Sequence, residues 1–310
     1  MEEPAVEAPG HPAVVRIRAH NPGPMTLTGT NTYVVGSSPA WVIDPGPADR
    51  DHIDLVRRVG ETRGGIAGVL LTHSHSDHNG GCGMLGVEVV VGNEDGFDDL
   101  AAMLATEPVA LPPAPAERHV GPFTVIATPG HAPDHVAYSF GEVCFCGDLV
   151  LGEGSTIVPP AAGGGSLAAY MNSLDALAAV GASLLCPGHG EWITDPAAKI
   201  AEYAAHRRER ERLLVEALAA GKRTDDDLLD AAWSDVPAPL RPAAALAMRA
   251  HLEKLAAEDR LPGDFAKVHD QTSPSRTVYQ SGIECGQPRG PFVVQTTMRS
   301  ASRSSSCSSA

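Results

Sequence analysis

Short apolar or alternating runs, rich in valine and bounded by Gly, Pro, Asn or Asp, recur along the first two thirds of the chain. They fall at Ala13–Arg18, Thr32–Val35, Ala40–Ile43, Val69–Leu71, Val87–Val91, Phe123–Ala127, Val136–Phe140, Val143–Cys146 and Ser183–Cys186. Period-two alternation between turn residues predicts strands there. Helical periodicity predicts helices over Arg50–Thr62, Asp95–Ala105, Ser166–Val180 and Ala197–Ala219. Strand and helix patterns interleave through residue 196, so a layered α/β domain is expected over residues 1–200. Residues 1–12 read as a loose, Pro-rich lead-in.

The texture then changes. The segment EYAAHRRERERLLVEALAAGK reads as a long amphipathic helix with Gly221 past its end. TDDDLLDAAW places Thr224 as an N-cap before acidic first-turn residues. A further helix runs from Leu240 until Pro262-Gly263 stops it. Residues 201–265 are therefore expected to form a small helical unit. Residues 266–310, which end in TTMRSASRSSSCSSA, read as a disordered tail.

Composition narrows the setting. The 310 residues are 43% hydrophobic with net charge −15. No apolar stretch is long enough to span a membrane, and the acidic start MEEPAVEAPG lacks a secretory pattern. The expected location is the cytoplasm, with no membrane partner. Six cysteines without a C-x-x-C pair point to reduced thiols. On a strand, Cys144 and Cys146 would face one side as small packed hydrophobes. Residues 1–196 carry 7 Lys+Arg against 23 Asp+Glu, a body that repels polyanions and that bound divalent cations would partly offset.

The stretch THSHSDHNGG changes the picture most. It sets His73, His75, Asp77 and His78 in a loop directly after the run Ile66–Leu71. Imidazoles and carboxylates suit zinc, and a catalytic zinc takes three protein ligands. Four ligands in six residues exceed one site, which points to two metals. Further ligands follow other strand-like runs: His131 in TPGH, Asp148 in FCGD and His189 in CPGHG. Each comes after a small turn residue (Gly130, Gly147, Gly188), where a Cβ would obstruct. His11, His20, His52, His119, His206, His251 and His269 lack that context.

The set H-x-H-x-D-H, TPGH, GD and PGH resembles the metallo-β-lactamase superfamily. NPGPMTLTGTNTYVVG, VIDPGP, GDLVLGEGST, YMNSL and HRRERE are similar to its β-lactamase-like protein 2 group over roughly residues 15–265. The resemblance implies an αββα sandwich followed by a small winged-helix-like unit. It implies His73, His75 and His131 on one zinc, Asp77, His78 and His189 on a second, and Asp148 bridging both. Iron or manganese also suits such ligands. Asp44 resembles an aspartate that orients the metal loop, and it reads equally well as the turn-former of DPGP. His135 is expected either to touch substrate and donate a proton or to be held internally.

The implied function is a dinuclear-zinc metallohydrolase. A metal-bridging hydroxide positioned by Asp77 and Asp148, with His135 as a third catalytic candidate, would cleave an ester-like bond. Substrates the resemblance leaves open are single-stranded RNA, a thioester as in glyoxalase II, or a β-lactam. The run Arg207, Arg208, Arg210, Arg212 could attract RNA, or it could be a solvated face alternating with Glu209 and Glu211. A non-enzyme reading is a nucleic-acid-binding module with a vestigial metal site. The helical unit would otherwise cover the active-site mouth or make a subunit contact, so an oligomer remains open.

Overall fold

The structure is a computed structural model that describes residues 5–87, 89–91, 118–263 and 265. Two sheets stack face to face. The first has strand order β1-β2-β3-β4-β5-β6, comprising β1 (Val6–Ala8), β2 (His11–Arg18), β3 (Asn31–Val35), β4 (Ala40–Ile43), β5 (Ile66–Leu71) and β6 (Val89–Val91). The second has order β11-β10-β9-β8-β7, with β7 (Arg118–Val120), β8 (Phe123–Ala127), β9 (Val136–Phe140), β10 (Val143–Gly147) and β11 (Leu184–Pro187). Strands β4–β5–β6 and β10–β11 pair in parallel, and the remaining neighbours pair antiparallel.

Alternation along each strand builds the layers. Val14, Val35, Ile43 and Leu70 turn inward to meet Phe123, Tyr138, Phe145 and Leu184 between the sheets. Their neighbours Val15, Val34, Val42 and Val69 turn outward under helix α1 (Arg50–Thr62), and the single-turn helices α2 (Ser76–Asn79) and α3 (Cys82–Leu85) follow β5. On the far side Cys144 and Cys146 face the same way, as expected of positions two apart. They pack with Leu185 beneath α4 (Leu167–Val180) and the first turns of α5 (Pro196–Ala219). Both thiols are free and buried. The result is an αββα sandwich.

Helix starts follow their caps. Asp49, Ser166, Asp195 and Thr224 each accept a backbone N–H of the first turn that follows. Helix α5 crosses residue 200 without a break. Ile200 and Tyr203 pack on the sandwich, whereas Leu214 and Leu218 pack with α6 (Asp225–Ala232) and α7 (Arg241–Ala257). Among the described residues no strand follows β11.

Three expectations change. Within the lead-in, Val6–Ala8 pairs with β2 as an edge strand, and β2 begins at His11 rather than Ala13. Arg118–Val120 forms a second edge strand, β7. The helix expected over Asp95–Ala105 and the tail from 266 lie outside the described residues. No helix among those described is long and apolar enough to cross a membrane.

Candidate metal centre

The candidate ligands leave strand ends and converge. After β5 come His73 and then His75, the latter in extended backbone; one helical turn, α2 (Ser76–Asn79), then carries Asp77 and His78. His131 follows β8, Asp148 follows β10 and His189 follows β11. His75 Nδ1 stands 2.9 Å from His73 Nε2 and 3.1 Å from His131 Nε2. On the other side His189 Nε2 and His78 Nε2 lie 3.3 and 3.6 Å from Asp77 Oδ2. Asp148 stands between the trios. Its Oδ2 is 3.8 Å from His131 Nε2 and 3.4 Å from His189 Nε2, and its Oδ1 is 3.4 Å from His78 Nε2.

A second layer sets the tautomers. Asp44 Oδ1 accepts Thr72 N–H at 2.8 Å. Its Oδ2 takes the Thr72 hydroxyl at 2.7 Å and His78 Nδ1 at 2.9 Å. With the Thr72 proton committed to Asp44, its oxygen accepts from His73 Nδ1 at 3.0 Å. His131 Nδ1 meets Ile157 O at 2.8 Å, and His189 Nδ1 meets Gly29 O at 3.2 Å. Each of these Nδ1 atoms faces an acceptor and so carries a proton; the neutral form of each ring then offers its inward-facing Nε2 to a cation. Asp44 therefore orients the loop, from a left-handed backbone position at φ 49°.

This arrangement fits two cations. Three imidazole nitrogens face one another within 4.8 Å, and the same holds for the ligand atoms of Asp77, His78 and His189. At least two of the first three are lone pairs, so hydrogen bonds among them cannot satisfy the set. His78 Nε2 and Asp148 Oδ1 are buried without a hydrogen-bond partner, a costly condition that a shared cation relieves. Gly188 makes room: a Cβ there would stand 2.2 Å from Asp148 Oδ1 and 2.7 Å from His78 Cε1.

Electrostatics divide the trios. Burial, with His78 nearby, holds His73 well below the usual imidazole range, and burial with His131 lowers His75. Burial opposes charge on His78 and His189 too, but Asp148 and its partner carboxylates overturn it, lifting His78 well up and His189 to about 9. Burial alone would raise Asp148, yet His189 and His78 hold it far below the carboxylate range. In the metal-free protein, protons on His78 and His189 balance the charge that a cation would otherwise supply.

His135 departs from the proton-donor expectation. It is 1% exposed. Its Nδ1 meets Thr128 Oγ1 at 2.8 Å, and its Nε2 accepts the Asp148 backbone N–H at 3.1 Å. Burial, with His131 beside it, lowers it to about 3. Both nitrogens are thus committed, Nδ1 to Thr128 and Nε2 to the Asp148 turn, where Gly147 at φ 47° comes so close that a Cβ would lie 2.7 Å from His135 Nε2.

The basic run is split between two faces of its helix: Arg208 and Arg212 lie on the exposed face beside Glu209, and the other two turn inward. Arg207 and Arg210 are buried. Arg210 forks onto Asp235 at 2.6 and 2.8 Å, and Arg212 pairs with Glu209 and Glu216. Of the four, Arg208 alone is exposed without an ion pair among the described residues.

Sequence reasoning missed the supports. Asn31 donates through Nδ2 to Pro187 O at 3.0 Å and Gly190 O at 2.9 Å, and its N–H reaches Gly188 O at 2.7 Å. It thereby fixes the turn bearing His189. Thr72, Thr128 and Thr156 act similarly. Their one signal was position beside a strand end or ligand.

Comparisons with known proteins agree with this geometry. Residues 25–87 and 107–189 match the family model of the metallo-beta-lactamase superfamily, and residues 224–261 match the beta-lactamase associated winged helix domain. The chain is 33% identical over 276 residues to a Beta-lactamase-like protein 2 homolog of Drosophila melanogaster, covering 80% of this chain and 89% of that one. It is 38% identical over 224 residues to an Atrochrysone carboxyl ACP thioesterase of Aspergillus chevalieri, covering 68% of each. A Beta-lactamase domain protein from Burkholderia ambifaria superposes with TM-score 0.64 at 21% identity, over 82% of this chain and 88% of that one. Ligand geometry, layer order and this breadth of similarity together make the chain a member of the metallo-beta-lactamase superfamily.

Proposed function

We propose that the protein is a dinuclear zinc hydrolase that cleaves acyl thioesters. The observation that carries the hydrolase reading is the double trio: His73, His75 and His131 facing Asp77, His78 and His189, with both oxygens of Asp148 turned between them. Zinc suits this His/Asp set, with metal analysis distinguishing iron or manganese. Bound divalent cations supply Lewis acidity and lower the pKa of a water from 15.7 to roughly 7.

The chain's own residues do the rest. Asp148, held by His135 through its backbone N–H, keeps the two trios in register. The Asp77 side chain is 26% exposed against 10% or less for His78, His189 and Asp148, so it faces the mouth. Asp77 Oδ2, which Thr30 Oγ1 approaches at 3.4 Å, is the atom placed to orient an attacking water and accept its proton. The committed nitrogens of His135 favour a leaving group that departs without a protonated side chain. A thiolate, whose conjugate acid has a pKa near 8.5, meets that condition far better than an alkoxide.

Two further observations favour a thioester over single-stranded RNA. Arg207 and Arg210 spend their charge inside the protein, and the body around the centre is acidic. The similarity to a thioesterase supports the same class. The test is kcat/KM on one panel: an acyl-CoA, an acyl-phosphopantetheine thioester, S-lactoylglutathione, single-stranded RNA, nitrocefin and a phosphodiester. A thioester should lead by about two orders of magnitude. RNA cleavage at the highest efficiency would replace this reading with an endoribonuclease.

A further inference from the structure

Helix α5 reaches back from the helical segment to the metal centre through two side chains one turn apart. Tyr203 and Arg207 share a face of the helix, as i and i+4 positions do. Tyr203 Oη accepts Leu151 N–H at 3.0 Å and donates to Gly154 O at 3.0 Å. Arg207, 4% exposed, donates through Nη2 to Thr156 O, and its guanidinium lies 5.3 Å from the centre of the Tyr170 ring. These two side chains therefore grip the loop that runs from the Asp148 turn to Ile157. The far end of that loop holds His131: Ile157 O at 2.8 Å and Thr156 Oγ1 at 3.4 Å both face His131 Nδ1.

We propose that Arg207 is a positioning residue for the metal ligand His131, acting through the Thr156–Ile157 backbone. The inference rests on the metal-centre reading above. A buried guanidinium anchored on an aromatic face is a stiff support, and its hydrogen bond to a carbonyl is charge-assisted. Two residues of that loop face His131 Nδ1, and their placement decides whether the ring keeps its proton there and presents Nε2 to the His73–His75 side. Tyr203 anchors the start of the loop, Arg207 its end. The helical segment is thus part of what shapes the centre, and Arg207 serves it without touching substrate.

The experiment compares Arg207→Met, Arg207→Lys and Arg210→Met in the full chain. The hydrogen bonds of Arg210, to His206, Ala232 O and Asp235, all stay within the helical segment. Arg210→Met reports what loss of a buried arginine does to folding alone. Zinc affinity is measured by chelator competition. Histidine tautomers are read by 15N NMR in the metal-free protein. In Arg207→Met, one of two zinc equivalents should weaken by about 10–100-fold while the other is retained. The His131 Nδ1 proton signal should shift or broaden. Arg207→Lys should fall between, because its ammonium can still donate to Thr156 O. Arg210→Met should lower thermal stability and leave both zinc affinities and the His131 signal alone.

Wild-type zinc affinities and an unshifted His131 signal in either Arg207 variant would overturn the proposal, as would equal zinc loss in Arg210→Met. If Arg207→Met fails to fold, the lysine variant decides by the same two readouts. A wild-type protein that binds no metal would instead defeat the metal-centre reading. The His131 signal would still judge the hydrogen-bond relay.

Discussion

Replacing Asp44 by Asn changes one atom and tests how the centre is held. Asp44 accepts three hydrogen bonds: Thr72 N–H at Oδ1, and the Thr72 hydroxyl and His78 Nδ1 at Oδ2. An asparagine has a single acceptor oxygen, so one side must present an amide N–H to a donor. If the NH2 group takes the Oδ1 place, it opposes the buried Thr72 N–H, at a cost of about 1–3 kcal/mol. If it takes the Oδ2 place, His78 must move its proton from Nδ1 to Nε2, and the lone pair aimed at Asp77 and Asp148 is lost. Loss of such an outer partner typically weakens metal affinity by about 10–100-fold. Asn tolerates the φ of 49° found here, so backbone strain does not confound the result. Chemical denaturation of the metal-free variant measures the first cost, chelator competition measures the second, and 15N NMR of the zinc-loaded protein identifies the His78 tautomer. If Asp44 served only to make the DPGP turn, Asn would support it equally well. Unchanged zinc affinity, unchanged stability and a proton still on His78 Nδ1 would refute the reasoning.

Other outcomes follow from the same geometry. Gly188→Ala should bind metal poorly while keeping its fold, since the new methyl would collide with Asp148 and His78; zinc stoichiometry with circular dichroism checks this. Chelation should lower the thermal midpoint, and added zinc should restore it with a concentration dependence that ligand binding to the native state alone produces. The metal-free protein should respond to pH through His251, which burial, with Arg207 near, depresses to about 3. A histidine with a lowered folded pKa contributes stability that is complete above its unfolded value of about 6.5 and is lost as pH falls toward 3. His251→Leu should therefore flatten the acid limb of midpoint against pH in a chelated sample; an identical limb would count against it.

Much of the fold was legible because burial imposes periodicity. Strands β4, β8 and β9 and helix α1 sit at the residues the pattern marks, for each buries a continuous apolar face. The two edge strands escaped notice for a physical reason. Each is three residues long and bonded on one side, and the Pro-rich surroundings of Val6–Ala8 look like loop because edges tolerate proline. The seven candidate ligand positions were visible since imidazole and carboxylate clusters at strand ends have few other uses. Their supports were not. Asn31, Thr72 and Thr156 are ordinary polar residues whose value lies in partners far along the chain, such as Asn31 and Gly190, 159 residues apart. Arg207 and Arg210 misled in the opposite direction. Arginines interspersed with glutamates read as a wet helix face, yet a long aliphatic stem lets arginine bury its body while its head finds carbonyls.

The most direct test of the account is anomalous scattering at the zinc edge from crystals of metal-loaded protein. Two peaks are predicted, each with its nearest nitrogen and oxygen ligands at about 2.0–2.2 Å. One should lie among His73, His75 and His131, the other among Asp77, His78 and His189, with Asp148 reaching both. A single peak with Asp77, His78 and His189 still hydrogen-bonded to one another, or no peak in protein grown with ample zinc, would contradict it.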